Sequence, residues 1–261
     1  MALKNKSLFL YGFEVDETNC SLDFIAASGG PTLAATLKHG YYSLNALMTE
    51  ISRSMKEVDT TTGRVYTVTA NRNVNSGTEN RVTISTNGTH LSLRFASGPR
   101  AASSIANLIG FLIQDYTGAT TYTGSSTCGT ALVSTEVGYN YLPPELSKRV
   151  QGAVSISASG EKESIVFNRM KFWQVEFKYE PESKVVLQWQ PFMDWCIDQK
   201  LVEFTPDITA PTTFYEGTLE KTSADGKGLA YQFKEMLPDF PFLYTTDMLT
   251  FRVRIVASRY T

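Results

Sequence analysis

Apolar positions alternate with others at the start of the chain: Phe9, Tyr11 and Phe13 share one parity, Leu8 and Leu10 the other. Residues 7–14 and 20–26 therefore predict two strands, with Asp16-Glu17-Thr18-Asn19 supplying turn chemistry between them. Ser28-Gly29-Gly30-Pro31 is a break, and residues 32–38 predict a short strand ending before Gly40. The period then changes. Leu44, Leu47, Met48, Ile51, Met55 and Val58 recur at intervals of three and four, which places them on one face of a helix over 43–58. Ser43 is its expected N-cap, because a hydroxyl there accepts from an orphan N–H of the first turn, and Lys56 suits the negative end of the helix dipole. Alternation resumes at 65–69, 81–85 and 91–95, joined by polar links that include Asn87-Gly88, and predicts an antiparallel meander. Helical spacing returns at Ile105, Leu108, Ile109 and Leu112. Gly110, after this run, is a natural left-handed C-cap that would let Phe111 fold back over the core.

From 120 to 135 the chain is Thr, Ser and Gly with few apolar anchors, which predicts an extended or mobile segment. The stiff Pro143-Pro144 pair follows, and the module boundary is placed at 140/141. The expected domains are 1–140, an α+β module ending in that segment, and 141–261, a β-rich module. In the second, 153–158 predicts a strand, and 164–180 either one bent strand or a tight pair, with a register slip near Met170. Residues 191–199 predict a short helix started by Pro191, with Phe192, Trp195 and Cys196 on one face. Residues 201–204, 212–220, 229–237 and 248–257 predict further strands, and 224–228 a hairpin turn. The fold class expected is α+β: an N-terminal antiparallel sheet with two packed helices, then a sandwich-like β module with a short helix.

Composition narrows the classes of function. The 261 residues carry 24 Lys and Arg against 26 Asp and Glu, a formal net charge of -2, so nothing points to a nucleic-acid or anionic-membrane partner. No apolar run approaches the ~20 residues needed to cross a bilayer. The basic start, Met1 to Lys6, precedes an apolar stretch too soon broken by Glu14 and Asp16 to be a signal peptide. Cys20, Cys128 and Cys196 are odd in number and far apart, which predicts reduced thiols and a reducing site of synthesis. The two histidines, His39 and His90, stand alone. No phosphate-binding, zinc-protease or nucleophile-elbow motif is present. The acids Glu14, Asp16 and Glu17, and the pair Asp194 and Asp198, are read as solvated carboxylates rather than an acid–base pair or a calcium loop. The expectation is a protein that is no enzyme, with no cofactor and no metal. The candidate contact residues are Trp173, Trp189 and Trp195, which would either pack in the core or offer flat faces to a partner or a sugar ring.

The ordered set Gly40-Tyr41-Tyr42-Ser43, the helix to Met55, Tyr66-Thr67-Val68-Thr69, Arg81-Val82-Thr83-Ile84, Leu91-Ser92-Leu93, Leu108-Ile109-Gly110-Phe111 and Asp115-Tyr116-Thr117-Gly118 resembles a module of virion structural proteins of tailed bacteriophages. The resemblance covers roughly residues 5–125, and no motif is matched beyond it. It implies a virion component, made in the host cytoplasm and placed in the tail. The implied role is a tail-tip or baseplate (distal tail) ring subunit, with other copies of itself and neighbouring tail or baseplate proteins as partners. Two alternatives stand beside it: a receptor- or carbohydrate-binding module of a phage using the three tryptophans, and a head decoration or neck protein.

Overall fold

The structure, a computed structural model, describes residues 8–72, 80–133, 145–156, 159, 162–181, 185–198, 200–208, 210, 212–219 and 248–257. The fold is mixed and mostly β, with two helices and antiparallel strands in four sheets among the described residues. In chain order the elements are β1 (Leu8–Tyr11), β2 (Phe13–Val15), β3 (Ser21–Ile25), β4 (Thr32–Thr36), β5 (Gly40–Tyr42), α1 (Leu44–Val58), β6 (Tyr66–Ala70), β7 (Val82–Thr86), β8 (Leu91–Arg94), β9 (Asp115–Ala119), β10 (Thr121–Thr123), β11 (Thr130–Val133), β12 (Glu145–Ile156), β13 (Lys162–Pro181), α2 (Gln190–Ile197), β14 (Val202–Thr205), β15 (Tyr215–Leu219) and β16 (Met248–Ala257). Two compact units divide the chain: residues 10–131 with 208–212, and residues 1–9 with 132–207 and 213–261. The boundary expected at 140/141, the strand at 229–237 and the turn at 224–228 lie outside the described residues.

In the first unit α1 forms as its periodicity demands. Ser43 Oγ accepts from Ala46 N at 3.0 Å, and Leu44, Leu47, Met48, Ile51 and Met55 are buried. The helix packs on β4, β5 and β6. One acid joins its buried face. Glu50 accepts from Lys38 N at 2.8 Å and from Arg53 Nη2 at 2.6 Å and Nε at 2.7 Å, so it holds the chain just before β5 against the helix. At the far end Lys56 donates to the carbonyls of Thr61 and Asp59, as its place at the negative pole suggests.

Two expectations about strands are corrected here. The single strand expected over 7–14 is two in its described part, because Gly12 at φ +91 turns the chain between β1 and β2. The meander is broken after β7. That strand is flanked by β6 and β10, whereas β8 leaves to pair with β3 and β9 in a four-stranded sheet of order β4-β3-β8-β9. Local alternation cannot foresee this, since β8 follows the buried β3, some 65 residues earlier in the chain.

The second helix expected at 105–112 is a single turn. Ile109 N donates to Ile105 O at 3.3 Å, Gly110 N to Asn107 O at 3.2 Å and Phe111 N to Ala106 O at 2.9 Å. With Gly110 at φ +76 this is a Schellman closure, which stops the helix before it can extend. Phe111 then enters the core edge-on to Phe95 and Tyr116, with centroids 5.4 Å and 5.3 Å away. Leu112 lies beyond the reversal and is exposed rather than on a buried helical face.

The Thr/Ser/Gly stretch, expected as extended or mobile, is extended in its described part, with strands at β10 and β11. Residues 121–123 form β10 against β7, and Ser126 N and Oγ donate to Gly110 O at 3.0 Å and 3.2 Å. Cys128 N and Sγ both donate to Asn80 O. Backbone hydrogen bonds supply here what apolar anchors do not.

Two further buried acids of the first unit each form a clamp. Asp23 on β3 takes Arg100 N at 2.7 Å and the guanidinium Nε and Nη2 at 3.1 Å and 3.0 Å, while Arg100 also donates to Thr36 Oγ1 and Ala35 O. Asp59, just past α1, accepts from Tyr66 Oη at 2.6 Å, Thr61 N at 3.1 Å and Arg64 Nη1 at 3.2 Å. Burial alone would raise the Asp59 carboxyl, but these donors outweigh it and hold it at about 2.

The second unit is built on the seven-stranded sheet, in the order β11-β1-β14-β15-β16-β13-β12. Residues 162–181 are one strand, β13, whose pairing with β12 slips between Gln151 and Gly152, opposite Val166–Asn168 and so near Met170 as expected. A wide π turn, Val185–Trp189, leads into α2, which carries Pro191 in its first turn as expected.

Two outcomes follow. Because the folded Asp59 pKa is depressed, its contribution is fully present above the unfolded value and is lost as pH falls toward 2. Denaturant midpoints should fall between about pH 4 and pH 2, and Asp59→Asn should cost about 2 kcal/mol at pH 7 and little at pH 2. Gly110→Ala should destabilise by about 2 kcal/mol or more, read by urea unfolding, since its Cβ would lie 2.2 Å from Ser126 O on a left-handed backbone.

Candidate functional site

The three tryptophans occupy different settings. Trp189 precedes α2 and is 0% exposed, edge-on to Phe9 and Phe192 at 5.9 Å and 5.8 Å. Phe9 also meets Phe192 at 5.1 Å and Phe204 at 4.9 Å, so β1, α2 and β14 share an aromatic core. The buried face of α2 is Phe192, Met193 and Cys196, while Gln190, Pro191 and Asp194 are exposed. Trp195 sits at the margin and is half-buried. Its Nε1 donates to Leu201 O at 3.2 Å, and Lys200 Nζ lies 4.7 Å from the ring centroid. One face of the indole is thus covered by a cation, an arrangement attractive on electrostatic grounds. Trp173 stands in β13 opposite Leu146 of β12 and Ile255 of β16.

The remaining candidates are bound up in local structure. Asp16 accepts from Thr18 N at 2.8 Å and Oγ1 at 2.6 Å, bonds that lower its pKa, and Asn19 closes the turn onto Asp16 N and Glu14 O. His90 Nε2 meets Ser92 Oγ at 3.0 Å. Asp198 is exposed and lies 3.8 Å from Lys200 Nζ. Burial pushes the Cys128 thiol up to about 12 and raises Cys196 as well, so neither offers a thiolate near neutral pH. Among the described residues no group of three or more His, Cys, Asp or Glu is placed to hold a metal ion, and no helix is long and apolar enough to cross a membrane.

Asp115 shows how the signature residues are used. Its carboxylate accepts from Ala96 N and Ser97 N, each at 3.0 Å, from Arg94 Nη1 at 2.9 Å and from the Ser97 hydroxyl. Burial works against the charge, but these donors prevail and hold the carboxyl at about 2. Next to it Tyr116 packs on Phe95 and Phe111, and its Oη accepts from Leu112 N at 3.2 Å.

Sequence reasoning missed one surface. Leu112 and Ile113 are 54% and 56% exposed, consecutive and apolar, on the stretch between the Gly110 reversal and β9. The stop signal at Gly110 was the clue that Leu112 leaves the helical face. An adjacent apolar pair on a braced loop can contribute buried area to a partner.

No protein-family model matches the chain, and no curated protein matches it.

Truncation should separate the two described indoles. Trp189→Ala should cost about 3–5 kcal/mol in urea unfolding, and Trp195→Ala about 1 kcal/mol, since only the first removes a fully buried ring.

Proposed function

We propose that the chain is a structural component of a tailed-phage virion, a tail-tip or baseplate ring subunit that docks copies of itself and neighbouring tail proteins. One observation carries the reading: each described piece of the Gly40–Gly118 set is spent on packing. Ser43 caps α1, β5 pairs with β2, Gly110 closes a turn, Asp115 clamps the 94–97 stretch and Tyr116 fills the core. A sequence signature used wholly for shape suits a subunit whose task is assembly. In this reading the first unit is the docking block, with its strands backed by α1 and the turn at Gly110. The second is a sandwich-like β module bearing α2. The protein works without catalysis or a cofactor. It is made in the host cytoplasm and ends in the tail, where rotation closes heterologous contacts into a ring. Leu112 and Ile113 are offered as part of a docking face.

Mass spectrometry of purified particles from the encoding phage should find this polypeptide at a fixed multiple of the ring symmetry, and its absence would rule the reading out. Leu112→Asp should leave the fold intact by circular dichroism while lowering incorporation into particles severalfold.

A further inference from the structure

Asn87-Gly88 is the one Asn-Gly dipeptide in the chain. It lies on the link between β7 and β8, with the Asn87 side chain exposed to water. Asn followed by Gly is the pairing most open to spontaneous loss of the side-chain amide, because glycine adds no side chain to hinder the backbone nitrogen that attacks. Yet both reacting groups are tied down here. Asn87 Oδ1 accepts from Val65 N at 2.8 Å, and Nδ2 donates to Gly63 O at 2.9 Å. Asn87 N donates to Val65 O at 3.2 Å, and the prospective nucleophile, Gly88 N, donates to Thr86 Oγ1 at 3.1 Å. The side chain therefore bridges the link to the loop before β6, and both the amide and the nitrogen that would attack it are engaged in hydrogen bonds.

We propose that Asn87 is a deamidation site latched by the fold, which reacts only when the junction of residues 63–65 with 87–88 opens. In that step the Gly88 nitrogen, having lost its proton, bonds to Asn87 Cγ. The Cγ–Nδ2 bond breaks, the nitrogen takes up a proton and leaves as ammonia, and a succinimide closes. Water then adds to one of the two ring carbonyls and opens the ring to aspartate or isoaspartate, with no oxidant or reductant involved. The change is not reversed on reclosing. Aspartate cannot donate to Gly63 O, and isoaspartate lengthens the backbone by one carbon and breaks the match to Val65, so the latch does not re-form once the amide has gone.

Peptide mapping of the full chain, incubated at mildly alkaline pH and followed by mass spectrometry, tests this. The acid form at residue 87 should accumulate at least about tenfold more slowly in the folded chain than in the same chain in urea, as local opening demands. Thr86→Val frees the nucleophile, and should raise the folded rate while leaving the urea rate unchanged. Hydrogen exchange at the Val65 amide, measured on the unaltered chain, should be slowed to a similar degree. Equal rates in folded and unfolded chain would overturn the proposal, as would a urea-treated chain that loses amides elsewhere before residue 87. So would strong protection at Val65 beside unprotected chemistry at Asn87.

Discussion

The carbonyl of Gly110 is the point on which the first unit turns. Ser126 donates to it from both backbone and hydroxyl, and the approach is possible only because no Cβ stands between Gly110 and Ser126. The left-handed backbone reverses the chain, sends Phe111 inward and Leu112 outward, and gives the polar stretch after β10 a fixed seat. Remove the contact and the stretch after β10 loses an anchor and the aromatic cluster its orientation. A backbone-to-backbone approach of this kind has no bulky substitute, so the constraint falls on residue type rather than on size or polarity.

Buried acids in this molecule are consumed in joining segments. Asp23 gathers the backbone and guanidinium of Arg100, Asp59 gathers Tyr66, Thr61 and Arg64, and Asp115 gathers the 94–97 stretch. Asp23 and Asp115 are met by donors from segments apart in sequence and Asp59 by donors two to seven residues on, and such donors offset the cost of taking a carboxylate out of water. Acids so engaged have few lone pairs left for an incoming molecule. That is the physical content behind a non-catalytic proposal for this unit, and it is independent of any likeness to other proteins.

What could be read from sequence was what is local. The face of α1, its Ser43 cap, the strand parities of β6, β7 and β8, Pro191 at the start of α2 and the reversal at Gly110 all depend on neighbours within a few residues. Partnership across distance was not legible. The choice of β3 by β8, the pairing of β10 with β7, and the seating of Ser126 and Cys128 by Gly110 and Asn80 involve residues far apart in the chain. The tryptophans show the same divide. Their number and chemistry are in the sequence, but Trp189 is buried because Phe9 and Phe192 surround it, and Trp195 is shielded by a lysine five residues on. Three equal candidates became two indoles of unlike environment, with the third placed only by its strand register.

The place of β1 in the sheet order bears on synthesis. All four of its residues, Leu8 to Tyr11, end buried, and its neighbours are β11 and β14. β11 begins at Thr130 and β14 only at Val202, so the second neighbour follows β1 by about 190 residues, or about 10–40 seconds at roughly 5–20 residues per second. During that interval one edge of the apolar strand lacks its final neighbour. How long those four residues wait is thus set by the order of elements along the chain and not by the strength of the contacts they finally make.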